Sequence, residues 1–567
     1  MATRRALEPA PTAALAVAGL AVVGLVVGAF VFGVPASGEF GYWETVVQVG
    51  LLLFYVVGWF LAWRHHFSGA TTMAFTGSLI AALSAAKYQP VLSGLLFFVL
   101  VVPTVVIWWW WRQDHSHLRV AVMGLGFASL LIGGWLTAES IYSLAYGPKT
   151  PESTTQPLAA ESVQWMWSGS LSTDSARVVA RFVEPIDELG GLDSISLTVA
   201  ERDGRSLPSV PAQRMLDDIV SFEISGLGPQ RTYDYSVVVN EQPDTARGAG
   251  EFSTPGEGPY SFRFAFASCA RTGSNAATFD EILARDPLFF LSTGDFHYAD
   301  IADNDVSVFV RDYSTQLVQG AQAALYRQVP VAYVWDDHDF GPNDSNRESP
   351  ARPAALAAYR ALVPHYPLAL DGPQEPIAQA FTIGRVRFVL TDLRSMRDPH
   401  TEPDGADKTM MGEEQRAWLV EELVAAAQSH ALVVWMSSVP WIVEDGTGGD
   451  SWGVYTFERR MIADAIAAAD ITNLMMLAGD AHMIAADDGT NSNYSNVPGP
   501  GFPVFQAAPL DQLNSFKGGP YSEGVVQETG QFGLMEIDDD GERIIVRFQG
   551  IAADGRELLT YDWTVPE

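Results

Sequence analysis

The chain of 567 residues contains one cysteine, Cys269, which excludes any intramolecular disulfide. An extracellular-type domain without disulfides has to rely on its core or on bound metals. The closely spaced cysteine pairs of a structural zinc site are absent as well. No GxxxxGK[ST] loop and no GxSxG elbow occurs, which disfavours P-loop nucleotide hydrolysis and α/β-hydrolase chemistry. Basic residues are scarce: 34 Lys and Arg stand against 67 Asp and Glu, a formal net charge of -33. Residues 1–150 hold seven of those bases and five of those acids, so the negative excess belongs to the rest of the chain. Such a surface repels phosphate backbones and argues against nucleic-acid binding. Most of these carboxylates read as a solvated acidic face.

Long apolar runs are plentiful, but only near the start. Five fill residues 12–34, 42–63, 70–87, 90–111 and 119–146. At about 1.5 Å per residue such runs have the length to cross a bilayer, with 70–87 the shortest. The segment WWWWR at 108–112 has the character of an interfacial aromatic belt. Residues 1–146 are therefore expected to form an all-α transmembrane bundle of five helices in contact with a lipid bilayer. Arg4, Arg5, Arg64, Arg112 and Arg119 lie in alternate loops. The positive-inside rule then places the N-terminus in the cytoplasm and everything after the fifth helix outside, as a multi-pass cell-membrane protein with an extracytoplasmic domain.

Residues 147–162, GPKTPESTTQPLAAES, are rich in Pro, Ser and Thr and read as a linker. From 163 to 256 come short alternating runs, among them VQWMW, ARVVARF, SISLTVA and YDYSVVV, divided by turn residues. This pattern predicts a small β-sandwich of fibronectin-III-like type. From 257 to 567 strands alternate with helical stretches, such as 412–430, where Trp418, Leu419, Leu423 and Ala426 share a face. Strand-helix alternation predicts an α/β sandwich.

The ends of the predicted strands show a regularity. FRFAFA leads into Ser268-Cys269, LFFLST into Gly294-Asp295, VAYVW into Asp336-Asp337-His338, VRFVLT into Asp392-Leu393-Arg394, ALVVWM into Ser437-Ser438, and NLMMLA into Gly479-Asp480-Ala481-His482. In open α/β sheets the ligand crevice lies outside the carboxyl ends of the strands. Taken singly, a Gly-Asp after a strand is an ordinary turn and a lone cysteine is a small buried hydrophobe. Six ends bearing Cys, Asp, His or Arg read together as a cation-holding rim, with hard carboxylate oxygens able to bridge two metals and His or thiolate suited to a transition metal.

The ordered set FASCAR, STGDFHYAD, VWDDHDFGPND, TDLRSMRD, MGEEQRAWL and LAGDAH resembles the PhoD-like alkaline phosphatase D family of metallophosphoesterases. The resemblance covers about residues 163–550, and the site also resembles that of purple acid phosphatases. It implies that Asp295 bridges two metals, that Tyr298 is a phenolate ligand to ferric iron, and that Cys269 is an iron ligand. Asp337 takes the place of a metal-binding Asn or Asp, and Asp480 and His482 match the last ligand block. His338 corresponds to the histidine beside the leaving group. Asn343 or Asp344 offers oxygens to a calcium-type site. Arg394 grips phosphoryl oxygens or forms a structural ion pair, and Arg271 carries the same two readings. His297 replaces an apolar residue of the family pattern and is expected to face solvent.

These readings converge on a membrane-anchored, outward-facing phosphatase or phosphodiesterase holding iron and calcium and acting on a phosphate ester. The rival reading is a non-catalytic cell-surface binding or sensing protein, whose mark would be a broken ligand set.

Overall fold

In the computed structural model, residues 42–62, 65–85, 90–111, 125, 150–202 and 204–566 are described. The chain divides into two compact units, Met1–Pro148 and Lys149–Glu567.

In the first unit three helices are described, Tyr42–Ala62, His66–Ala85 and Pro90–Trp111. They bury Tyr55, Ala62, Ala70, Met73, Leu100 and Ile107 together, and the Tyr55 hydroxyl donates to the Leu100 carbonyl at 2.8 Å. Among the described residues no helix is long and apolar enough to cross a membrane. This corrects the expected bundle of five spanning helices, and with it the multi-pass placement and the outward orientation. The physical reason is an ambiguity in the signal, because helix-on-helix burial draws on the same apolar residues as bilayer burial. The runs at 12–34 and 119–146 lie outside the described residues, apart from Leu125.

The second unit is built on two large sheets packed face to face. Six strands set the position of the site: β1 (Phe262–Ala267), β2 (Phe290–Ser292), β3 (Val331–Tyr333), β4 (Val386–Leu390), β5 (Leu432–Ser437) and β6 (Leu474–Ala478). Strands β1 to β3 are adjacent and parallel within a ten-stranded sheet, with Ala267 opposite Ser292 and Ser292 opposite Tyr333. Strands β4 to β6 are parallel neighbours in a seven-stranded sheet, with Leu390 opposite Met436 and Ser437 opposite Ala478. Parallel pairing in this register brings all the carboxyl ends of a sheet to one edge.

The alternation of side chains explains why both faces of β4 to β6 are apolar. Phe388, Val434 and Leu477 point to the core shared with β1 to β3, where Phe388 meets Phe264 at 5.3 Å and Phe289 at 5.4 Å between ring centroids. Val389, Val433, Trp435 and Met476 point the other way, into a second core closed by the helices Glu413–Ser429 and Thr456–Ala468. Parallel strands covered on both faces have this composition. On the first of these helices Leu419, Leu423 and Ala426 are buried, with Trp418 packed at the margin.

The alternating runs between 163 and 253 form strands as their period requires. Val163–Gly169, Ser175–Phe182 and Ile219–Ser225 extend the ten-stranded sheet, joined to β3 where Gly169 lies opposite Val331. Ile195–Glu201, Thr232–Val239 and Ala249–Ser253 belong to a separate five-stranded sheet, and the two layers enclose a core around Phe182, Leu197, Phe222 and Val237.

Candidate active site

The crevice forms where the carboxyl edges of the two sheets meet. Cys269 follows β1, Asp295 follows β2, Asp336 to Asp339 follow β3, and Asp480 to His482 follow β6. Three of these residues leave their strands in the left-handed region: Cys269 at φ 67°, Asp295 at φ 50° and Asp480 at φ 64°. For a non-glycine residue that conformation is uncommon, and it persists only where surrounding structure enforces it. Gly294, at φ 110°, makes the turn before Asp295, and a Cβ there would lie 2.5 Å from the Asp336 Cβ.

Side chains from different strand ends converge. The Cys269 thiol lies 3.5 Å from Asp295 Oδ2 and 3.1 Å from Ser268 Oγ. The Tyr298 hydroxyl donates to Asp295 Oδ2 at 2.9 Å and lies 3.0 Å from His482 Nε2. His482 Nδ1 is held by the Leu513 carbonyl at 2.5 Å, which leaves Nε2 as the nitrogen turned to Tyr298. A metal-binding histidine is oriented in the same way, by a second bond from its other nitrogen. His338 stacks on Tyr298 at 4.0 Å, with its Nδ1 2.6 Å from Asp300 Oδ1. The backbone N–H of His338 donates to Asp295 Oδ1 at 3.3 Å.

The site carries more negative charge than its protein partners neutralise. Burial pushes the Asp480 carboxyl up to about 7 against the pull of Lys517, and Asp336 up to about 8 against that of Arg394. Asp295 is raised well above the carboxylate range by burial, with Asp337, Asp336 and Asp339 adding to the effect while His338 opposes it. Burial, then Asp295, raise the Cys269 thiol. The buried oxygens Asp336 Oδ2, Asp337 Oδ1 and Asp480 Oδ2 accept no hydrogen bond. Buried acceptors without donors are costly unless a cation completes them. Atoms of Asp295, Asp337 and His338 lie within 4.8 Å of one another, a spacing that fits a metal ion; those of Asp336, Asp337 and Asp450 do so as well, but there the buried Arg394 supplies the positive charge.

Arg394 lies among the second of these groups and is fully buried. Its Nε donates to Asp336 Oδ1 at 2.6 Å, and Nη1 and Nη2 form a bidentate pair with Asp450 at 2.7 and 2.9 Å. Asp337 Oδ1 is 3.5 Å from Nη2. Of the two readings of Arg394, this geometry matches the ion pair. Arg271 is half-exposed and turned to Asp511, through its backbone N–H at 2.7 Å and its Nε at 3.2 Å. It does not join the ligand cluster. Asn343 is exposed on the turn after the helix Asp337–Phe340, while the backbone N–H of its neighbour Asp344 donates to Asp337 Oδ2 at 2.6 Å. His297 is wholly buried rather than solvent-facing, edge-on to Tyr313, and burial lowers its pKa to about 4.

Three groups at the site escaped the sequence reading. Asp450 sits in the loop EDGTGGD and Lys517 in SFKGG, each remote from a strand end, while Asp300 closes the run STGDFHYAD that leaves β2. Lys517 Nζ donates to Asp480 Oδ1 at 2.7 Å. The rarity of lysine in this part of the chain was the one available signal for it.

The site is thus a two-sheet sandwich with Asp, His, Tyr and Cys gathered at the joined carboxyl edges, an arrangement suited to holding metal ions. Residues 264–542 match the family model of the PhoD-like phosphatases. Alkaline phosphatase D of Bacillus subtilis (strain 168) is 25% identical over 319 residues, covering 48% of this chain and 54% of that protein. The chain thus spans about half the length of this curated relative. A solved structure of PhoD superposes with a TM-score of 0.55 at 17% identity, covering 73% of this chain and 92% of the other. The purple acid phosphatase PPD1 from yellow lupin (Lupinus luteus) seeds gives 0.51 at 11% identity, covering 70% and 74%. At these identities the two structural likenesses are ones of fold.

Proposed function

We propose that this protein is a metal-dependent hydrolase of phosphate esters, with its centre at the joined strand ends. The observation that carries the reading is the convergence of Cys269, Asp295, Tyr298 and His482 beside buried carboxylate oxygens that lack donors. In this reading Cys269, Asp295, Tyr298, Asp480 and His482 would hold ferric iron, and Asp295 and Asp337 would hold a second, calcium-type cation to which Asn343 or Asp344 would add oxygen. Cations so held supply positive charge for the phosphoryl oxygens and lower the pKa of a water.

The residues themselves do the positioning and the proton transfer. Burial opposes the charge on His338, but Asp337, Asp295 and Asp300 outweigh that and raise its pKa well above the usual value, and Asp300 would keep its hold on Nδ1 when the other two carboxylates hold cations. Asp300 fixes Nδ1 and Tyr298 fixes the ring plane, so Nε2 is the group that gives its proton to the departing alkoxide oxygen. Arg394 keeps Asp336 and Asp337 in place from behind and takes no part in the transfer.

The test is metal analysis of the purified chain together with assays on mono-aryl and bis-aryl phosphates, repeated for Cys269→Ala and Asp295→Asn. Both variants are expected to lose bound metal and at least about 100-fold in kcat/KM, equivalent to about 2.7 kcal/mol. Full activity in both without bound metal refutes the assignment.

A further inference from the structure

The segment from Leu510 to Gly519 crosses the rim of the crevice, tied to it at both ends. The Leu510 N–H donates to the Ser268 carbonyl at 2.9 Å, and the Ser515 N–H to that of His482 at 3.0 Å. The Gly519 N–H donates to the Ile442 carbonyl at 2.8 Å. Gly518 lies at φ 76°, where a Cβ would come within 2.3 Å of the Ile442 oxygen, so only glycine fits. Lys517 is thereby held with its ammonium 2.7 Å from Asp480 Oδ1, while the buried Asp480 Oδ2 accepts no hydrogen bond.

Among the described residues four Arg and Lys side chains lie near the crevice, and they differ in what they can do; Arg397, 1% exposed, is committed to Asp450 through Nη2 at 2.9 Å. Arg394 is at 0% exposure and its fork is taken by Asp336 and Asp450. Arg271 is turned to Asp511. Lys517 keeps 19% of its side chain exposed, and its charge reaches both Asp480 and Asp450. An ammonium is a compact charge on a flexible stem with three N–H donors, so it can be shared between a carboxylate and an incoming anionic oxygen. The planar guanidinium of Arg394, held bidentate, has no such freedom. The other lysine described in this unit, Lys408, donates to the carbonyls of His400, Glu402 and Val454 and lies over the Tyr455 ring. That lysine is structural, whereas Lys517 stands at the rim.

We propose that Lys517 is a substrate-contacting residue that binds a non-bridging phosphoryl oxygen while remaining on Asp480, and that its charge favours dianionic phosphate monoesters over monoanionic diesters. This rests on the hydrolase reading above. The direction follows from charge: one added cation near the phosphoryl group attracts a dianion about twice as strongly as a monoanion at equal distance.

The experiment compares kcat and KM for an aryl phosphate and for its methyl aryl diester, in the wild-type chain and in Lys517→Met and Lys517→Arg. Metal content and inorganic-phosphate affinity are measured on the same preparations. For Lys517→Met the expected result is a rise in KM and a 10- to 100-fold loss of kcat/KM for the monoester. The diester is expected to lose no more than about threefold, with weaker phosphate binding and unchanged metal content. Lys517→Arg is expected to restore part of the monoester preference. An equal loss on both esters together with loss of metal means that Lys517 only positions Asp480, and overturns the proposal. Unchanged selectivity and phosphate affinity in an active Lys517→Met overturns it while leaving the hydrolase reading intact. A wild-type chain that neither cleaves esters nor binds phosphate overturns both.

Discussion

Arg394 offers the sharpest test of how the crevice is held. Its guanidinium, with no exposed surface, faces Asp336, Asp337 and Asp450. Replacing it as Arg394→Met keeps much of the volume but strips Asp336 and Asp337 of this cation and leaves Asp450 with Arg397 alone at 2.9 Å. Removing one partner of a buried ion pair costs about 3–5 kcal/mol, because the remaining charge has no solvent. The sign with pH follows. In the wild type Asp450 is held well below the usual carboxylate range: burial opposes its ionisation, but Arg394 and then Arg397 outweigh that. Its contribution to stability is present above about pH 4 and is lost as the pH falls through its folded-state value. In the variant Asp337 and Asp450 lose the cation that lowers them and Asp336, already raised by burial, is pushed further up, so the deficit is largest near pH 8 and narrows towards pH 4, where the unfolded chain also takes up protons. Urea unfolding followed by tryptophan fluorescence reads this, with Trp335, Trp435, Trp441 and Trp452 fully buried in the same unit. Adding Asp450→Asn to Arg394→Met is expected to recover about 1 kcal/mol or more, because it removes one negative charge from the group Asp336, Asp337 and Asp450. A loss below about 1 kcal/mol, or an equal loss at pH 5 and pH 8, would refute the account of Arg394 as the buried counter-charge.

Other outcomes follow from individual contacts. Gly294→Ala combines a disallowed φ with overlap on Asp336, so about 2 kcal/mol or more of stability should be lost in thermal unfolding, along with Asp295-dependent metal binding. Phe264→Ala removes a ring stacked at 5.0 Å on Phe289 between the sheets and should cost about 3–5 kcal/mol in urea unfolding. His297 is buried neutral with a pKa lowered to about 4, so the folded chain resists its protonation as the pH drops below about 6.5. His297→Phe should therefore gain about 2 kcal/mol relative to wild type between pH 8 and pH 5, and an equal difference at both pH values would contradict the buried placement.

Much of the α/β unit was legible because its signals are local. Each of β1 to β6 is an apolar run that stops at a polar residue, and the run and the stop can be read without knowing the neighbours. The helix Glu413–Ser429 shows its buried face by spacing alone. Asp450, Lys517 and Asp300 were not legible, since each reaches the site through a loop whose course depends on contacts remote in sequence. His297 was misread for a related reason: its residue type suggests exposure, whereas the packing of Tyr313 and Phe296 around it decides otherwise. The two readings of Arg394 could be separated only by partners more than 50 residues away in each direction. At the N-terminal end the apolar runs at 42–63, 70–87 and 90–111 overlap the helices Tyr42–Ala62, His66–Ala85 and Pro90–Trp111, the second displaced by four residues at its start, but apolar composition did not determine what surrounds them.

The meeting of two sheet edges at one crevice has a mechanical consequence. Cys269 and Asp295 are rooted in one sheet and Asp480 and His482 in the other, so any ion seated among them fastens the two layers as a rivet fastens plates. Ligand binding and resistance to unfolding then become one measurement: free cation at 100 times its Kd adds about 2.7 kcal/mol to the folded state. Chelation should loosen the seam between the sheets before it disturbs either sheet alone.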